Sequence, residues 1–435
     1  MTPLRRSVKA QPWRYLLLAA LVPAWCGISH ADPAAQPASA TSALCGGYKR
    51  LELKSSKGIC VGLVASHLGF ARGIAVVDDD LWVADMGGWN KGHGRLLRIK
   101  QRGRGKVEEI LTHLDLPNAL LALPNGKLLL GSLGRVDEFD PQAAEPGKVS
   151  LLPVVTGLPD KGRHPVPALA AAADGALYVN IGSATDHCEG ESNAAPNPQA
   201  ACPETQETPP RGSIIAARWD NPPALGTPAA SAKVFARGLR NSMALALDAS
   251  AHLWAAVNAR DFINLADPSL SDEELPHDTL VKVVDGADYG WPQCYDIQLS
   301  SPEYKGFPCK TKSPPTLLLP AHAAPLGMLY LGTAHPLGPY TNGLLIGYHG
   351  YRKAGHRIVW LQFGPSGEIS GAPKEIVWDW EAATKAGGAK SKEAFSDSGV
   401  PEKMGSPVAL VQLADGSVMA TDDHNGTIVI IAASN

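Results

Sequence analysis

The sequence predicts an all-β protein, a six-bladed β-propeller carrying long inserted loops. Three observations predict it. A hairpin motif of apolar strand, polar turn and second apolar strand returns six times along the 435 residues. The 44 glycines and 36 prolines interrupt the chain too often for helices of ordinary length, and without the regular period of collagen. Hydrophobic residues make up 45% of the chain, enough for a packed core and too many for a disordered segment.

The hairpins come in order. The first runs from Gly73 to Ala84 around Asp78-Asp79-Asp80, the second from Ala119 to Leu130 around Asn125-Gly126. The third spans Ala168 to Val179 around Asp174-Gly175, and the fourth spans Met243 to Trp254. The fifth is divergent, pairing Leu326–Tyr330 with Tyr340–Gly347, and the sixth runs from Val408 to Thr421 around Asp415-Gly416. Asn-Gly and Asp-Gly between apolar runs mark hairpins because both residues tolerate positive φ. The first copies recur at roughly the 40–50 residue period of a multi-stranded blade. Later copies lie further apart, so inserted loops are expected at 184–210, 258–290, 295–320 and 381–404, where Pro, Ser, Ala and Gly concentrate.

The N-terminus reads as an export signal. Arg5, Arg6, Lys9 and Arg14 precede the apolar run Tyr15–Trp25, and Ser29-His30-Ala31 supplies a small-residue cleavage site. This gives a signal peptide at 1–31, a flexible lead-in at 32–44 and one propeller domain at 45–435. The run is too short to span a bilayer comfortably, so no stable membrane span is expected after cleavage. A periplasmic or secreted protein follows. Cleavage removes Cys26 and leaves six cysteines in neighbouring couples, Cys45/Cys60, Cys188/Cys202 and Cys294/Cys309, for which local disulfides are the simplest of the possible pairings. There is no C-x-x-C, which argues against a zinc ribbon, a thioredoxin-type site and covalent haem. The formal charge of −3 gives no sign of nucleic-acid binding.

A propeller gathers the starts of its innermost strands around a central channel, which brings Arg72, Asn118, His164, Arg240-Asn241 and Ser406 to one mouth. His164, in Lys161-Gly-Arg-His164-Pro, has two readings: a surface imidazole beside a proline, or a general base titrating near neutrality. Arg240-Asn241 offers a donor fork beside an amide, suited to a planar carboxylate-bearing ligand, and equally to pairing with a nearby carboxylate.

Longer motifs bear on the choice. Glu274-Leu-Pro-His-Asp278 and Val281-Lys-Val-Val-Asp-Gly-Ala-Asp-Tyr-Gly-Trp-Pro292 resemble the hallmark segment of the glucose/sorbosone dehydrogenase family, six-bladed quinoproteins that use pyrroloquinoline quinone (PQQ). Gly182-Ser-Ala-Thr-Asp-His-Cys-Glu189, Gly238-Leu-Arg-Asn241, His322-Ala-Ala-Pro-Leu-Gly327, Tyr348-His-Gly-Tyr-Arg352 and Thr421-Asp-Asp-His-Asn-Gly426 follow in the family's order. The resemblance implies oxidation of an aldose or sorbosone-like sugar at C1, with His164 taking the hydroxyl proton and hydride passing to PQQ. It implies Arg240, Asn241 and Arg352 as cofactor contacts with Lys353 as a helper, and Ca²⁺ held by Asn258, Asp261 and Tyr289, in part through backbone oxygens. Electrons would pass to a soluble acceptor. The chain departs from the pattern at Ser406 (arginine in relatives), Ala259 (glutamate) and Ser183 (the carboxylate that orients the histidine), with Asp186 the nearest replacement for the last. Two other readings stay open: a propeller without PQQ that binds a sugar or a protein, and a Ca²⁺-dependent lactonase.

Overall fold

The computed structural model describes residues 43–350, 352–380 and 405–434. The signal peptide at 1–31, all but the last two residues of the lead-in, and the loop at 381–404 lie outside the described residues. Strand pairing begins inside the expected lead-in, with Leu44 opposite Lys49.

Each of the six hairpins is the inner pair of strands of a blade, two outer strands follow in each, and further short strands extend the sheets of blades 2, 5 and 6. Blade 1 comprises Ala71–Val77, Asp80–Asp85, Gly94–Ile99 and Val107–Leu114. Blade 2 comprises Ala119–Ala122, Leu128–Ser132, Arg135–Phe139 and Leu152–Thr156. Blade 3 holds Leu169–Ala171, Ala176–Ile181, Ser213–Arg218 and Lys233–Arg237. Blade 4 holds Ala244–Leu247, Leu253–Val257, His277–Lys282 and Leu317–Ala321. Blade 5 holds Pro325–Leu331, Gly343–Tyr348, Arg357–Phe363 and Ile369–Trp378. Blade 6 combines Pro407–Gln412, Val418–Asp422 and Thr427–Ala433 with the N-terminal strand Ile59–Ala65.

Two of the expected loops need correction. The segments 258–290 and 295–320 contain the third and fourth strands of blade 4, which pair with each other through Thr279 opposite Leu318. His277–Lys282 is a six-residue run directly after Pro276, too short to stand out from its Pro- and Asp-rich surroundings. The neighbouring strand Leu253–Val257, with Trp254 opposite Lys282, imposes the extended form there.

An apolar cluster seals each junction between neighbouring blades. Leu81, Val83 and Leu97 of blade 1 meet Met419, Ile428 and Ile430 of blade 6. Trp82 and Leu96 meet Leu128 and Phe139 of blade 2, and Leu129 and Val136 meet Leu177 and Val179 of blade 3. Ile214 and Ala236 meet Leu245 and Ala255 of blade 4, whose Trp254 and Leu280 meet Leu344 and Ile346 of blade 5. Leu345 and Trp360 complete the circuit against Val418 and Val429 of blade 6. Near the axis the inner strands come close enough to exclude side chains. A Cβ at Gly327 of blade 5 would lie 1.9 Å from the carbonyl oxygen of Val408 of blade 6. Three disulfides form as the local couples expected: Cys45–Cys60, Cys188–Cys202 and Cys294–Cys309. No helix among the described residues is long and apolar enough to cross a membrane.

Ile430 is 2% exposed at the junction where the ring closes. Ile430→Ala is expected to cost about 2–5 kcal/mol by lost transfer energy and cavity formation. Urea unfolding should show that drop, whereas Leu225→Ala, at a side chain 84% exposed, should leave the midpoint in place.

Candidate functional site

The starts of the inner strands bring buried charges to one mouth, each answered by an opposite charge. Arg72 donates through Nε to Asn118 Oδ1 at 3.0 Å and through a terminal nitrogen to Asp423 Oδ2 at 2.7 Å. The other oxygen of Asp423 lies 2.9 Å from His349 Nε2, and Asn118 Nδ2 donates to the carbonyl of Pro167 at 2.9 Å. This chain of contacts links blades 1, 2, 5 and 6 to the entry of blade 3. Burial pushes the Asp423 carboxyl up, but His349 and Arg72 outweigh it and hold it well below the usual range.

A second network surrounds Arg240, which is 5% exposed. Its Nε donates to the Asp186 carbonyl at 2.8 Å, one terminal nitrogen donates to the Asn258 carbonyl at 3.2 Å, and the other pairs with the Asp186 carboxylate. Asp186 also accepts the Asp261 amide and lies 3.2 Å from His187 Nδ1. Burial raises its carboxyl, while the His187 hydrogen bond, Arg240 and the Asp261 amide lower it below the usual range. Asp186 is thus committed to Arg240. The Tyr-Gly-Trp-Pro segment supports this arrangement from below, since Trp291 Nε1 donates to the Asp186 carbonyl at 3.3 Å. The Cys188–Cys202 disulfide and Glu204, which accepts the Ala184 and Thr185 amides, fix the same loop.

His164 sits beside this network. A Cβ at Gly182 would lie 2.5 Å from His164 Cβ and 3.0 Å from Asn241 Oδ1, so these two side chains flank a residue that must be glycine. His164 Nδ1 is 3.0 Å from both the carbonyl and the hydroxyl oxygen of Ser183. The Ser183 hydroxyl donates its own proton to the Thr185 carbonyl at 2.6 Å. A carbonyl can only accept, so Nδ1 carries the imidazole proton and Nε2 keeps a lone pair. Burial first, and then the charge of Arg240, lower the His164 pKa to about 3.

The remaining candidates are distributed unevenly. Arg352 donates to both the carbonyl and the carboxylate of Asp272, each at 2.6 Å, and Lys353 is exposed. His322 bridges Asp261, 3.2 Å from its Nδ1, and the Asp272 carbonyl, 2.7 Å from its Nε2. Asn258 donates its amide to the Asn241 carbonyl at 2.9 Å, so those two residues share a lip. Tyr289 stands on a cleft that Arg240 and Asn258 also line, and its hydroxyl donates to the Lys282 carbonyl at 2.9 Å and accepts the Val284 amide. Ser406 Oγ lies 2.9 Å from His424 Nδ1, and Ala259 offers its amide to Asp278 at 2.7 Å. Buried Asp278 also accepts the Ala324 amide, and burial raises its pKa to about 6 despite both bonds. A cleft of about 600 Å³, open to solvent, adjoins the mouth and is lined by Arg240, Asn258, Arg260, His277, Trp291 and Tyr295. Sequence reasoning missed the roles of Asp423, Asp272 and Asp278; the turn Asp422-Asp423-His424 was the visible signal for the first.

No protein-family model matches the sequence, and no curated protein is significantly similar to it. Solved structures are similar over nearly their whole length. A Trichoderma reesei carbohydrate-active enzyme of family AA12 is 18% identical with a TM-score of 0.69, over 89% of this chain and 99% of that one. The holo PQQ domain of Coprinopsis cinerea pyranose dehydrogenase is 20% identical with a TM-score of 0.67, over the same shares. The PQQ-bound aldose sugar dehydrogenase of Streptomyces coelicolor is 14% identical with a TM-score of 0.55, over 87% of this chain and 99% of that one. The chain has their fold.

In ¹⁵N-edited NMR, His164 is expected as the Nδ1–H tautomer and neutral at every pH above about 4. Its folded pKa lies below the ordinary 6.5. The unfolded chain therefore binds the extra proton, and the stability contributed above pH 6.5 is lost as pH falls toward 3. Ser183→Asp should raise the His164 titration midpoint by placing a carboxylate against Nδ1. An unchanged midpoint in a folded variant would refute the assignment. Asp186→Asn should destabilise the protein by about 3–5 kcal/mol in denaturant titration, because it strands Arg240 as a buried charge.

Proposed function

We propose that the chain is an exported PQQ-dependent sugar dehydrogenase that oxidises an aldose or sorbosone-like sugar at C1 and passes electrons to a soluble acceptor. The observation that carries this reading is His164, a neutral imidazole with a free-lone-pair Nε2 placed beside Arg240 and Asn241 at the mouth. It stands on a fold whose solved examples include proteins described as PQQ-bound sugar dehydrogenases. The three disulfides support an oxidising compartment.

The residues present fit the implied groups. Asn241 Oδ1 and Asn258 Oδ1 are both buried without a hydrogen-bond partner, and a buried polar atom left so is costly. Neutral oxygens on one lip suit a hard cation such as Ca²⁺, and Arg240 beside them suits carboxylate or quinone oxygens. A calcium structure of the AA12 protein is in keeping with that fit. Arg240 and Asn241 would hold PQQ, with Asn258 and Asp261 toward the metal. When bound, PQQ supplies the hydride acceptor.

The chain's own residues do the rest. Ser183 holds the His164 ring by Nδ1, so Nε2 accepts the proton of the sugar hydroxyl. Asp186 fixes the Arg240 guanidinium in place, so its positive charge is preorganised for negative charge developing at the mouth. Arg352, held by Asp272, borders the same lip.

Reconstitution with PQQ and Ca²⁺, followed by dye reduction over an aldose panel, tests the reading. Turnover with a cofactor spectrum is expected. His164→Ala should lower kcat by about 10²–10⁴ while retaining PQQ absorbance. The absence of both spectrum and turnover in the wild-type protein would leave a propeller that binds a sugar or a protein instead.

A further inference from the structure

Of two groups of metal-competent side chains among the described residues, one is already committed: Cys188 and Cys202 are joined to each other, so neither offers a thiolate beside Glu204. The other lies where blades 5 and 6 meet the channel. It consists of His349 at the end of the second strand of blade 5, and Asp423 and His424 in the turn after the second strand of blade 6. One ligand atom from each lies within 4.8 Å of the other two. Asp423 and His349 are buried and His424 is half-buried.

We propose that His349, Asp423 and His424 form a site for a first-row divalent cation of the Zn²⁺ type. This does not depend on the dehydrogenase reading. The spacing fits. His349 Nε2 and Asp423 Oδ1 are 2.9 Å apart, and the His349 and His424 rings meet edge to face with centroids 4.9 Å apart. Two ligands on a tetrahedral zinc, each about 2.0–2.1 Å from the metal, are separated by roughly 3.3 Å, so small ring rotations suffice.

The supporting contacts are those that a metal site needs. Arg72 already occupies the second oxygen of Asp423, which leaves Oδ1 oriented toward the imidazoles. Ser406 Oγ, 2.9 Å from His424 Nδ1, steadies that ring. Asp422 locks the turn by accepting the amides of Ser406, His424 and Asn425 at 3.0, 3.1 and 3.1 Å, and the Asn425 side chain at 2.7 Å. Two imidazoles and one carboxylate favour Zn²⁺, Co²⁺, Ni²⁺ or Cu²⁺ over Ca²⁺, which takes oxygen ligands almost exclusively.

The test uses the metal-stripped full protein and Co²⁺, read by its visible absorption, with Zn²⁺ as competitor. One equivalent of Co²⁺ is expected, displaced by Zn²⁺ and retained in millimolar Ca²⁺. His424→Gln and His349→Ala should each weaken binding at least tenfold with near-UV circular dichroism unchanged. Equal affinity and stoichiometry in wild type and His424→Gln, or no bound equivalent in wild type, would overturn the site. Should a variant unfold, ¹⁵N histidine NMR of the wild type decides. Zn²⁺ must shift the His349 and His424 ring signals first, and shifts confined to other histidines refute the assignment.

Discussion

The molecule depends on one pairing, the antiparallel ladder of Ile59–Ala65 against Thr427–Ala433. It runs from Ile428 opposite Ala65 to Ala433 opposite Ile59 and joins the two ends of the described chain in a single sheet. Without it, blade 6 would have only three strands, and the Leu81–Ile430 junction would face water. Joining residues so far apart is less costly than intuition suggests, because loop-closure entropy grows only logarithmically with length. Cys45–Cys60 ties the strand on the other side, where Lys49 pairs with Leu63. Closure is also what converts six similar hairpins into one site, since it fixes the inner-strand starts around a common mouth.

That mouth must be polar, and its buried arginines are each paired with a carboxylate. Taking an arginine out of water is tolerable only with an opposing charge and satisfied hydrogen bonds. Arg72 meets Asp423, Arg240 meets Asp186 and Arg260 meets Glu303, each pair drawn from a different part of the chain. Apart from Arg72, near the start of the first strand of blade 1, the paired residues sit on loops and turns between the blade strands. This explains why the longest excursions carry a disulfide or a buried carboxylate at their base, as Cys188–Cys202 and Glu204 do for 182–212. Rigid loops keep the arginines in place before any ligand arrives, and preorganisation of this kind is where binding and catalysis gain most.

The inner hairpins were legible because turn chemistry is local: Asn125-Gly126, Asp174-Gly175 and Asp415-Gly416 need only their own backbone. The cysteine couples were legible for the same reason, with separations of 15, 14 and 15 residues. The outer strands of blade 4 were not, because a short run such as His277–Lys282 becomes a strand only against its neighbour. In the site, His164, Arg240 and Asn241 could be picked out by their position just before inner strands. Their partners could not, since Asp186 is 54 residues from Arg240 and Asp423 is 351 from Arg72. The Tyr-Gly-Trp-Pro motif was visible, yet its work was not. Its tyrosine closes a turn onto Lys282 and its tryptophan supports the Asp186 loop.

The pairing of His164 with a serine, not a carboxylate, has a chemical consequence. A neutral partner fixes the tautomer but gives an imidazolium little stabilisation, and Arg240 opposes that imidazolium directly. A base with a pKa near 3 is a poor proton acceptor at neutral pH. Part of the depression, however, comes from a charge that a ligand can neutralise. An anion near Arg240 would relieve that part of the depression, while burial, the larger cause, would remain. A carboxylate in place of Ser183 would instead stabilise the imidazolium whether or not an anion lay near Arg240.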